Sequence, residues 1–87
     1  MNIDFNKIEQ TILDGSFRQE LEEELTVGFR QIQMTGERLP VPSHYASQIA
    51  EIITRQTELS DFLKFELYQE VLVACENAAK TVSGEVA

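Results

Sequence analysis

Apolar residues recur at steps of three and four through most of this chain, and the clearest run lies near its end. Between Ser60 and Val82, the residues Phe65, Tyr68, Leu72, Cys75, Ala79 and Val82 form one seam at helical period. Leu67, Val71, Ala74 and Ala78 form a second seam beside it, while Glu66, Gln69, Glu70, Glu76, Asn77 and Lys80 gather on the other side. A helix with two apolar seams needs two neighbours, so this one is expected at the centre of an α-helical bundle.

Three earlier stretches supply the neighbours. Phe5, Ile8 and Ile12 lie on one face, widened by Leu13, and predict a short helix from about Asp4 to Asp14. Asp4 is its expected N-cap, with Ile3 and Ile8 as a hydrophobic staple, and Gly15 its expected stop. Ser16 to Gln19 has the capping-box pattern and opens a second helix with Phe17, Leu21, Leu25, Gly28 and Ile32 on its stripe and Phe29 at the edge. A glycine inside that stripe costs about 1 kcal/mol relative to alanine, which suggests that another helix passes close to Gly28, with tolerated accident the equal alternative.

Thr35 to Pro42 is the clear break, since two prolines and a glycine do not continue a helix. It is expected to be the longest loop, a crossover with Leu39 and Val41 tucked against the bundle. Ser43 is the expected N-cap of a third helix reaching about Gln56, with Tyr45, Ile49, Ile52 and Ile53 on its core face and Ala46 and Ala50 allowing close approach. Gln56, Thr57 and Glu58 interrupt the pattern and Ser60-Asp61 reads as a new start, although a single kinked helix is an open alternative. The expectation is an all-α fold: a small four-helix bundle, up-and-down, with the longer loop between helices 2 and 3. Residues 1–82 are expected to form one helical domain and residues 83–87 a flexible C-terminal tail.

Composition narrows the functional classes. The chain has 87 residues, 43% apolar and 25% charged, the balance of a folded domain. A domain of this size buries only about 60–65% of its unfolded surface, so a partner or a second copy would add stability. Seven Lys and Arg against 15 Asp and Glu leave a formal charge of −8. Phosphate backbones and anionic membranes repel such a chain, whereas basic proteins attract it; added solubility is the plainer use of surplus acid. No stretch resembles a signal peptide or a membrane span, and the lone Cys75 suits a reducing compartment, so a cytoplasmic location is expected.

Candidate chemistry is sparse. The single histidine, His44, sits in the first turn of a helix and reads as a surface residue, and Cys75 reads as a small core residue rather than a nucleophile. There is no Glu-x-x-His pair for a di-metal site, no zinc ligand set and no acidic calcium loop, so neither metal nor cofactor is expected. Lys7, Arg18, Arg30, Arg38, Arg55, Lys64 and Lys80 are dispersed among acids, which argues against direct nucleic-acid binding.

Protein contact remains. Phe62 and Val73 fall on the polar side of the last helix with Leu63 at its margin, and Val27 and Met34 lie off the stripe of the second helix. Glu20, Glu22, Glu23 and Glu24 cluster at the start of that helix. The expected function is a small cytoplasmic interaction module, an adaptor, regulatory subunit or inhibitor, that binds a basic protein partner without catalysis. Phe62, Leu63 and Val73 would supply apolar contact and Glu20, Glu23 and Glu24 electrostatic steering, with homodimerisation as a further use of the apolar surplus. The alternative is a nucleic-acid mimic of the antitoxin or immunity type that blocks a DNA- or RNA-binding enzyme. An enzyme or ligand carrier using the bundle interior is a third reading, disfavoured because the interior offers almost no polar chemistry.

Overall fold

In the computed structural model, which describes residues 7–85, four helices follow one another: α1 (Ile8–Asp14), α2 (Ser16–Met34), α3 (Pro42–Gln56) and α4 (Asp61–Gly84). The periodicity of α4 is realised as a central helix, because α1, α2 and α3 all pack on it. Leu67, Val71, Ala74, Cys75, Ala78 and Val82 form its buried stripe. The side chains of Ala74 and Ala78, both fully buried, are small enough to let neighbouring backbones approach.

The direction of each long helix follows from its contacts. Arg18 Nε lies 3.1 Å from Glu70 Oε2, and Arg30 donates to both carboxylate oxygens of Glu85 at 2.8 and 2.6 Å, so α2 and α4 run parallel. Phe29, late in α2, meets Tyr45, early in α3, so α3 runs the other way. The three long helices therefore form an up-and-down set. α1 packs on α2 and α4 at the end where both begin. The result is the all-α, four-helix bundle expected from the pattern.

Local chemistry explains the joints, with some changes from expectation. α1 is linked to α2 by Gly15 alone, which adopts the left-handed conformation (φ 85°) that side chains disfavour. The Ser16 capping box does not form, because Ser16 is already helical; its N–H instead donates to Asp14 Oδ1 at 2.8 Å. Those hydrogen bonds from Ser16 hold the Asp14 carboxyl below its ordinary range. The expected Asp4 cap and Ile3 staple fall outside the described residues.

Pro42, rather than Ser43 as a cap, opens α3: it occupies the first turn after an extended Val41, where its missing N–H is not needed. Of the two loop residues expected to tuck in, Leu39 packs on the core and Val41 stays exposed. α3 and α4 are separate helices. Thr57 is extended, Leu59 is buried in the link, and the Ser60 hydroxyl accepts from the Leu63 N–H at 3.3 Å to cap α4. α4 continues through Ser83 and Gly84, past its last apolar stripe position.

A carboxylate-rimmed groove between two helices

α2 and α3 both lie on α4 but not on each other: no Cα atoms of the two helices come within 8 Å. Helices in contact have axes about 8–10 Å apart and would bring several such pairs together. Across the gap only side chains meet. The rings of Phe29 and Tyr45 pack edge to face, with centroids 5.7 Å apart and planes at 62°. Beside them is a groove of about 330 Å³.

The walls follow from the stripes on each helix. α2 buries Phe17, Leu21, Leu25 and Phe29 in the core, and the adjoining flank turns Gly28 and Ile32 to the groove. α3 buries Ala46, Ala50 and Ile53 against α4, which leaves Tyr45 and Ile49 half-buried on the groove side. Ile52, expected in the core, is 56% exposed; it continues the Tyr45–Ile49 stripe by one more turn. It stays outside because α2, the helix that would cover this flank, stands too far away.

Gly28 is a second departure from expectation. A Cβ built on it would meet nothing within 4 Å among the described residues, so none of the four helices passes close there. The glycine borders open space in the groove wall.

One lining residue is charged, Glu24, and it stands exposed at the rim; Glu20 lies one turn before it on the same face. None of the lining residues is basic. Arg18, Arg30 and Arg55 are each held by a carboxylate, from Glu70, Glu85 and Glu51 respectively.

The other residues expected to bind a partner lie elsewhere. Phe62 is 64% exposed and Val73 39%, on the side of α4 opposite its buried stripe, whereas Leu63 is half-buried and packs against the core. Phe65, expected in a core seam, is 61% exposed and joins Phe62 on this outer face, since none of the described helices covers that flank of α4. Glu20, Glu23 and Glu24 are exposed on α2. Thus Phe62 and Val73 do not form one surface with the glutamates. The half-buried apolar residues that line the groove together with Glu24 are Ile32, Tyr45 and Ile49. Their signal in the sequence was the glycine next to an over-wide stripe.

Reactive groups do not converge. Cys75 is fully buried, and burial, with the nearby Glu76 carboxylate adding to it, pushes its thiol up to about 11. At neutral pH it stays protonated and weakly nucleophilic. His44 is exposed at the start of α3. Among the described residues, no three His, Cys, Asp or Glu side chains are grouped to hold a metal ion, and no helix is long and apolar enough to cross a membrane. A wider hollow, about 780 Å³, lies between α1 and the α3–α4 link, and its walls carry charges of both signs, Lys7 against Glu9, Asp14 and Glu58. Comparison of the chain with protein-family models, with curated proteins and with solved structures yields no match.

Proposed function

We propose that this protein is a small acidic interaction module, an adaptor, regulatory subunit or inhibitor, that works in the cytoplasm by occupying a protein partner with a basic surface. The observation that carries this reading is the groove between α2 and α3, apolar on its walls with Glu24 as its one charged lining residue. Apolar area removed from water supplies the affinity, and the surplus of negative charge speeds the encounter. The buried, protonated Cys75 suits a compartment where thiols stay reduced.

The test is capture of the tagged protein from its native cell with nuclease treatment in parallel. A stoichiometric basic protein that survives nuclease, and whose association slows as salt rises, is the expected result. Recovery of the chain alone or only with copies of itself, or an on-rate indifferent to salt, overturns the reading.

A further inference from the structure

We propose that the α3–α4 link is a hinge, and that this chain exchanges α4 with a second copy to form a dimer in which α3 and α4 of each chain are one continuous helix. The inference does not rest on the interaction reading above.

The link differs from the other two connections between the described helices. Gly15 turns the chain between α1 and α2 in the left-handed conformation (φ 85°), and Gly36, Pro40 and Pro42 interrupt it between α2 and α3. Thr57, Glu58, Leu59 and Ser60 include neither glycine nor proline. Thr57 and Ser60 hold ordinary extended conformations (φ −136°, ψ 158° and φ −65°, ψ 163°), so only their surroundings keep them out of a helix.

Those surroundings are slight. Leu59 is buried at the bend, and the Ser60 hydroxyl accepts from the Leu63 N–H. The Thr57 hydroxyl donates to the Ile53 carbonyl at 2.8 Å, the same four-residue step that Thr26 and Thr54 make inside helices, so this bond survives straightening. A straight link also gives the last carbonyls of α3 and the first N–H groups of α4 the helical partners they otherwise lack.

The buried stripes of α3 and α4 are in phase for such a helix. Ile53 and Val71, both buried, lie 18 residues apart and Ala46 and Val82 lie 36 apart, about five and ten turns at 3.6 residues per turn. A helix from Pro42 to Gly84 therefore carries one apolar face along its length, and its two halves point away from each other. An antiparallel second copy covers that face, with α4 of each chain against α3 of the other as in the closed hairpin.

Exchange re-forms the existing core. Among the described helices, α4 is the common neighbour of α1, α2 and α3, whereas α3 has no Cα atom within 8 Å of α1 or α2. Either chain's α4 can therefore assemble the other three. Thr35–Val41 is too short a loop to let α3 leave the end of α2, so α4 is the segment that moves. The change is confined to the link, where the Leu59 contact and the Ser60 cap give way to helix.

The experiment unfolds the full chain in urea and refolds it at low and at high protein concentration, in salt that screens the −8 charge of each copy. Light scattering reads the mass. A dimer is expected at high concentration, and it should persist on dilution because its chains part only by unfolding. Glu58→Pro forbids the continuous helix but suits the bent link, where Thr57 is already extended and Glu58 is exposed. It is expected to keep the monomer's helicity and to lower the dimer fraction at least tenfold. Leu59→Ala removes the anchor of the bend and is expected to raise that fraction severalfold.

Exchange itself is read by refolding Arg18→Cys chains together with Glu70→Cys chains and adding a short thiol crosslinker; the buried Cys75 takes no part. These two positions meet within one chain, and in the exchanged dimer they meet between chains, so a crosslinked heterodimer is expected. A monomer at every concentration, a dimer indifferent to Glu58→Pro, or a dimer without the crosslink overturns the inference. None of these results touches the interaction reading, which stands or falls with the native partner.

Discussion

Helix α2 faces α4 on one side and α3 on the other, and small residues serve the two seams differently. On α4, the fully buried Ala74 and Ala78 let neighbouring backbones close up, and Arg18–Glu70 and Arg30–Glu85 tie α2 to it. Against α3, Gly28 is smaller than either alanine, yet among the described residues nothing lies within 4 Å of where its Cβ would be, and the rings of Phe29 and Tyr45 bridge the gap. A small residue is therefore permission for a close approach, and a neighbour must be present to use it. The first seam holds the fold together; the second leaves apolar surface open.

The largest expected effect separates the two seams by truncation. Leu67 is completely buried, so Leu67→Ala should cost about 2–5 kcal/mol, a substantial share of the 5–15 kcal/mol typical of a whole domain. Ile49→Ala on the groove wall should cost about 1 kcal/mol, because part of that side chain already sits in water. Urea titrations of the two variants measure the difference, and equal losses would mean that the groove is closed in solution.

Enlargement should divide the seams in the opposite sense. Ala78→Leu overfills a packed interface and should lose about 1–3 kcal/mol. Gly28→Ala adds a methyl group in open space and improves helix propensity, so it should gain about 0.5–1 kcal/mol. A lower melting temperature for Gly28→Ala would show α3 standing closer to α2 than it does here.

The smallest effect concerns the ion pair at the far end of the tight seam. Hydrogen bonds from Arg30, ahead of its charge, hold the Glu85 carboxyl below the ordinary glutamate value. A depressed folded value means that the contribution is present above the unfolded pKa and is lost as pH falls through the folded one. Both groups are well exposed, so the contribution is small and shrinks as salt rises. Glu85→Gln should flatten part of the stability loss as pH falls below the ordinary glutamate range. Superimposable acid profiles for the two proteins would show that the pair contributes nothing measurable.

The site was less legible in the sequence than the fold. Glu20 and Glu24 were visible as a cluster, and of the two Glu24 lines the groove. Their apolar companions were not found, because Tyr45 and Ile49 look like core residues by period alone. Phe62 and Val73 were correctly read as outside the packed stripe, but exposure does not reveal which other surfaces lie beside them.

What the sequence determined by itself was local. The 3.6-residue period set four helices and the buried face of α4, and Gly15, the prolines of the long loop and the Ser60 cap set where helices stop and start. These follow from backbone sterics and hydrogen bonds within a few residues. Tertiary structure alone decided how far apart the helices stand. Periodicity names the face a helix turns inward, but the distance to its neighbour depends on the summed packing of side chains from all the helices on α4. That distance leaves Ile52 in solvent, gives Gly28 no close neighbour among the described residues and opens the groove.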